Sequence, residues 1–127
     1  MKNDVEIDNA IEEIKEISEK CVRCGMCKAL CPVFLVLREE YISPRGKTMM
    51  LDKGFYEKLI YDCTLCKACE EKCPLGLKLC TEFRKARKVL VGKGKETSEN
   101  KEMMKNVGKY GNPFGQITGK VKKLYCC

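Results

Sequence analysis

The sequence predicts an all-α fold, and three observations carry that expectation. Apolar residues recur at helical spacing, as in Ile7, Ile11, Ile14 and Ile17. Proline and glycine stand where helices open and stop, at Ser43-Pro44 and at Gly92 and Gly94. No segment alternates with period two for long enough to make a convincing strand.

Taken in order, Asn9 with Glu12 reads as a capping box that opens an amphipathic helix over 9–20, delivering the chain to Cys21. Its isoleucines are expected to pack on the domain rather than to recruit a partner helix. After Pro32, residues 33–41 read as helical, with Val33, Leu37 and Tyr41 on one face. Ser43 is an N-cap with proline at the first helical position, which opens a helix over 44–52. Gly54 breaks it, and 55–61 form a short helix leading to Cys63. Leu79, Phe83, Ala86 and Leu90 mark another helix, ending near Val91. One further candidate lies around 99–107 in a Gly-, Lys- and Asn-rich stretch.

Into this helical frame are set most of the chain's 11 cysteines. Cys21, Cys24, Cys27 and Cys31 run as C-x2-C-x2-C-x3-C, closed by Pro32. Cys63, Cys66, Cys69 and Cys73 repeat the run, closed by Pro74. This spacing is that of two cubane 4Fe–4S clusters, in which three thiolates wrap one cluster and the fourth, turned away by the proline, ligates the other. The expected sets are therefore Cys21, Cys24, Cys27 and Cys73 for one cluster, and Cys63, Cys66, Cys69 and Cys31 for the second. Structural zinc would take four ligands from two C-x2-C pairs and leave each third cysteine and the Cys-Pro ending unexplained. A disulfide framework would call for an export signal, and residues 1–10 have no apolar core of one. With no histidine, Rieske centres and His-ligated haem are excluded.

The spacer between the motifs, residues 32–62, reads as helices rather than as the short connection of a β-hairpin ferredoxin. The repeat is thus motif plus helix, twice, with pseudo-twofold symmetry. We expect an all-α di-cluster domain over 1–92 and a tail over 93–127 that is basic and either partner-binding or loosely packed. The formal charge of +7 treats thiols as neutral; each thiolate-bound oxidised cluster contributes about −2, so the balance is nearer ~+3. Charge therefore gives little support to nucleic-acid binding, and no aromatics interleave the basic run that would stack on bases. The longest apolar stretch, Val33 to Leu37, is far below the ~20 residues of a membrane span. A chain this rich in free thiolates is expected in a reducing cytoplasm, with any membrane contact peripheral and made through partners.

Outside the clusters, Arg45 either donates to a cluster sulfur or is a solvated first-turn arginine. Arg84, Lys85, Arg87, Lys88, Lys93 and Lys95 form a run with no acid between Phe83 and Lys95. It is either a docking face for an acidic partner or lipid surface, or a solvated helix face favoured by the helix dipole. Cys80 is expected to be a buried thiol. Cys126 and Cys127 are a redox pair, ligands for a partner's metal, or an uninformative end.

The segments CVRCGMCKALCPVF, YISPRGKTMML, CTLCKACEEKCPLGL and KYGNPFG together resemble the iron–sulfur subunits of heterodisulfide reductase and of glycerol-3-phosphate or glycolate/lactate dehydrogenases. The likeness covers roughly residues 18–115, and its more specific parts are Ser43 to Gly46 and Gly111 to Gly115. It implies a helical ferredoxin fold and a role passing electrons between a flavoprotein or other redox partner and an acceptor. In larger members a GNPFG-like segment precedes cysteine-rich CCG domains, so a stand-alone small subunit or a piece of a longer protein is expected here.

The sequence therefore leads to an electron-transfer protein, a hetero-oligomeric subunit of a larger, anaerobic oxidoreductase. Its expected partners are a flavoprotein dehydrogenase, a CCG-domain subunit, or both. No nucleophile–base pair, phosphate loop or flavin fingerprint supplies a catalytic residue. The rival reading is a heterodisulfide or thiol reductase component working through Cys126 and Cys127.

Overall fold

A computed structural model describes residues 2–116. Among them are six α-helices and no strand: α1 Lys2–Glu19, α2 Pro32–Leu37, α3 Pro44–Asp52, α4 Ala68–Lys72, α5 Leu79–Gly92 and α6 Ser98–Tyr110. Short 3-10 turns at Met26–Lys28, Glu40–Ile42 and Lys58–Asp62 join them. The all-α expectation holds. The chain divides into two compact units, Met1–Lys95 and Glu96–Cys127.

In the first unit α1 lies along α5 and also meets α3. Between them sits one core, in which Ile14, Phe83, Ala86, Val89 and Leu90 are fully buried, with Leu51, Ile60 and Leu79 beside them. Burying one such large apolar side chain stabilises the fold by ~1.5–3 kcal/mol. Helix α1 begins well before the expected start. Asn9 lies inside it, so the capping box is not formed; Asp4 complements the dipole in the first turn, and Ile7 packs on the core a turn earlier than expected.

Helix α2 stops at Leu37, short of the expected Tyr41, because Arg38 turns left-handed at φ 60 and a 3-10 turn takes over. Helix α3 has the expected bounds. Ser43 Oγ accepts from the Gly46 N–H at 2.9 Å, and its own hydroxyl donates to the Glu40 carbonyl at 2.7 Å. A Cβ on Gly46 would overlap that same Glu40 carbonyl, so only glycine lets α3 lie this close to the 40–42 turn. The expected helix at 55–61 is reduced to the 3-10 turn Lys58–Asp62, and α4, inside the second cysteine run, was not expected. Helix α5 lacks a side-chain cap of its own; Glu70 of α4 supplies one by accepting the Cys80 N–H at 2.9 Å.

In the second unit, α6 is capped by Thr97, whose side chain accepts from the Asn100 N–H, and ends at left-handed Gly111. The turn that follows is held by Asn106 Nδ2 donating to the Pro113 carbonyl at 3.2 Å.

Candidate iron–sulfur site

Both C-x2-C-x2-C loops fold the same way. Arg23 (φ 59) and Gly25 (φ 80) in the first loop, and Leu65 (φ 55) and Lys67 (φ 63) in the second, are all left-handed. These are the residues just before the second cysteine of each run and just after it. Three of the four are not glycine, and each such residue costs about 1–2 kcal/mol of backbone strain. Alternating the hand of the backbone turns successive N–H groups to one side, a concavity suited to anions. One of these groups already finds a sulfur: the Leu65 N–H donates to Cys63 Sγ at 3.4 Å.

The cysteines of the two runs surround two separate cavities. The first, about 350 Å³ with its mouth, is lined by Cys21, Cys24, Cys27 and Cys73. The second, about 320 Å³, is lined by Cys31, Cys63, Cys66 and Cys69. In each case three cysteines come from one run and the fourth from the other. All nine described cysteines are free thiols. No three His, Cys, Asp or Glu side chains among the described residues converge on a single-ion position. Cys24 and Cys66 are exposed and Cys69 is buried; the remaining five of the eight are half-buried.

Burial pushes the Cys27 thiol up to about 11, helped by Cys21 and Cys24 and opposed by the Arg45 backbone N–H. Burial raises Cys69 as well, with Cys80 beside it. Such thiols ionise at neutral pH only when a bound cation pulls the proton off, which is the behaviour of cluster ligands. The donor set, its spacing around each cavity and the inward-turned loops therefore fit two 4Fe–4S clusters.

Helix α3 borders both cavities. Arg45 lines the first and Lys47 the second. Besides lining the first cavity, Arg45 has protein partners for its guanidinium. Its Nε donates to Glu40 Oε1 at 2.8 Å and its Nη1 to the Arg23 carbonyl at 3.3 Å, bracing the first loop. A Cβ on Gly25 would stand 2.9 Å from that Nη1, so glycine keeps the brace close. The hydrogen bonds from Arg45 and from Lys28 hold the Glu40 carboxyl below its usual range.

The second loop has its own brace. Arg87 of α5 donates through Nη2 to the carbonyls of Ile60 (3.2 Å), Tyr61 (3.3 Å) and Cys63. The rest of the basic run is mostly engaged within the unit: Lys85 pairs with Glu13, Lys88 with Glu6 at 2.9 Å, Lys95 with Glu57 at 3.8 Å, and Lys93 lies over the Tyr56 ring. Cys80 is buried, as expected, and lines the second cavity. Cys126 and Cys127 lie outside the described residues.

Two buried charged residues escaped sequence reading. Lys47 is 1% exposed; burial lowers its pKa, while Cys63, Cys31 and Asp62 oppose that shift. Glu82 is fully buried, accepts from Thr48 Oγ1 at 3.0 Å, and is pushed up to about 8 chiefly by burial. The only signal for either was a charge at a position where helical periodicity points inward.

Residues 17–77 match the family described as the 4Fe-4S dicluster domain. Similar proteins include a component of the ion-translocating oxidoreductase complex of Buchnera aphidicola, 36% identical over 69% of this chain and 18% of that one. The glycolate oxidase iron-sulfur subunit of Escherichia coli is 30% identical over 52% and 18%. An iron-sulfur subunit of the CoB--CoM heterodisulfide reductase of Methanopyrus kandleri is 28% identical over 69% and 47%. The chain thus spans about a fifth of the first two relatives and about half of the third. No helix among the described residues is long and apolar enough to cross a membrane. The chain carries a 4Fe–4S dicluster domain, and two 4Fe–4S clusters are its cofactors.

Proposed function

We propose, with that dicluster domain as premise, that the chain is an electron-transfer subunit of a larger oxidoreductase. The observation that carries the reading is the pair of cavities, each ringed by three cysteines of one run and one of the other. In this assignment Cys21, Cys24, Cys27 and Cys73 hold one cluster, and Cys63, Cys66, Cys69 and Cys31 the second. When bound, the clusters take up and release single electrons. The protein's part is to hold the sulfurs in two rings, turn loop N–H groups toward them, and keep water from the inner faces through Leu77, Leu79 and Phe83. Cys24 and Cys66, the exposed members, mark where an electron can cross to another protein.

The relatives' names describe subunits of an ion-translocating oxidoreductase complex, of a glycolate oxidase and of a heterodisulfide reductase. By analogy, this chain works as a hetero-oligomer with redox partners, a flavoprotein or a CCG-domain subunit among them, in the cytoplasm or on its membrane face. Its two structural units, Met1–Lys95 and Glu96–Cys127, then serve as the cluster carrier and a partner-facing tail. Anaerobically reconstituted protein should hold about eight irons and eight sulfides and be reduced reversibly by a viologen without substrate turnover. Tightly bound zinc in place of iron, or half that iron after full reconstitution, would end this reading.

A further inference from the structure

The two cavities differ in how their cations are arranged. In the first, each arginine is offset by a carboxylate: Arg23 Nη2 lies 3.1 Å from Asp52 Oδ2 and Arg45 Nε 2.8 Å from Glu40 Oε1. Both pairs are partly open to solvent, which screens them. In the second, Lys47 is 1% exposed and lines the space shared by Cys31 and Cys63; Asp62 acts on its charge without closing an ion pair, and a second, exposed cation, Lys67, lines the same space. Its position is held on both sides. Ser43 caps α3 ahead of it, and the neighbouring Thr48 donates to buried Glu82 of α5 at 3.0 Å.

Resting on the electron-relay reading, we propose that Lys47 sets a potential difference between the two sites. Its buried cation favours the reduced state of the cluster ringed by Cys31, Cys63, Cys66 and Cys69 over that of its neighbour, so that a single electron in the protein resides there. Reduction adds one negative charge to a site, and a fixed cation inside the protein interacts with it more strongly than a paired cation at the surface. Lysine suits the task as a compact point charge on a long stem. The step takes one electron from a low-potential one-electron donor, and no bond forms or breaks. A purely packing role would need only the stem, which methionine also supplies.

The test is an anaerobic redox titration of the reconstituted full-length protein with reduced viologen, followed by EPR. The Cys31→Ser and Cys73→Ser variants identify which signal belongs to which site. In the wild type the second site should reduce first. Lys47→Met should weaken reduction of that site by about tenfold, or about 59 mV for a one-electron couple, and leave the first site within about threefold. Lys47→Arg should restore most of the difference. Equal or reversed potentials in the wild type overturn the proposal even if Lys47→Met does not load clusters. So does a shift of both sites together, or of neither, in a loaded variant. A wild type that binds iron but shows no reversible reduction at either site removes the electron-relay reading itself, and this proposal with it.

Discussion

The first cavity, walled by Arg23, Arg45 and Leu75, and the second, walled by Lys47, Cys80 and Phe83, are nearly equal in volume, about 350 and 320 Å³. Their loops repeat the same left-handed positions. What differs is the wall behind the sulfurs. The first sets two near-surface arginines, each paired with a carboxylate, beside buried Leu77 and Leu79. The second draws on the buried faces of α3 and α5, which bring an unpaired lysine, a fifth cysteine and, one residue from Phe83, the buried carboxyl of Glu82. The repeated motif supplies equivalent sulfurs, and the unrepeated helices make the two sites unlike. Relay between identical sites would have no preferred resting place for the electron.

The comparison breaks most completely at the exchanged cysteines. Cys73→Ser should strip or degrade the cluster at Cys21, Cys24 and Cys27 and spare the other, whereas Cys31→Ser should do the reverse. Iron content falling from about eight toward four, with site-resolved EPR, checks this. Loss of the cluster local to the mutated motif would overturn the crossed assignment.

Glu82, buried where α5 meets α3, should make the stability of the fold depend on pH. Its carboxyl is held at about 8 when folded, above the ordinary value of 4.5, so the folded chain binds the extra proton. Stability tied to this group is full below about 4.5 and is lost as the pH climbs through 8, by up to a few kcal/mol. Glu82→Gln should flatten that decline between about pH 4.5 and 8 in denaturant titrations, and hydrogen exchange should show the wild type loosening first around α3 and α5. An unchanged pH profile in the variant would show that the buried carboxyl is not what titrates.

Gly46→Ala should disturb both sites together, because the added methyl overlaps the Glu40 carbonyl and α3 lines both cavities. Overpacking of this kind costs about 1–3 kcal/mol. A thermal melt together with iron content at both sites would measure it, and a variant with one site untouched would show that α3 is not the shared wall.

The smallest contrast is between the braces. Arg87→Ala leaves three carbonyls at the approach to Cys63 without their donor and should cost about 1–3 kcal/mol. Arg45→Ala removes a more solvent-exposed pair and should cost below about 1 kcal/mol. Equal losses in urea titrations would contradict the difference in burial.

The eight cysteines and their division into two rings were legible because metal chemistry imposes its spacing on the chain locally. The same is true of α3, whose Ser43-Pro44 opening is a local signal. Asn9 misled because a capping box is equally consistent with a helix interior when residues before it also suit a helix. Helix α4 is too short for periodicity to register. The basic run looked unopposed because its acids, Glu6 and Glu13, lie at the other end of the unit's sequence, on α1. Lys47, Glu82 and Arg87 share that difficulty: their roles depend on which helix arrives opposite them.

The proposed crossing of the cysteines would also order events on the growing chain. The second cavity's ring is complete once Cys69 has been made, yet the first run, synthesised long before, still waits for Cys73. Both rings are therefore finished at α4 and the residue that follows it, late and nearly together. During synthesis the chain never holds a completed first site beside an unmade second one. That brief interval between Cys69 and Cys73 aside, cluster delivery meets either two open rings or two whole ones.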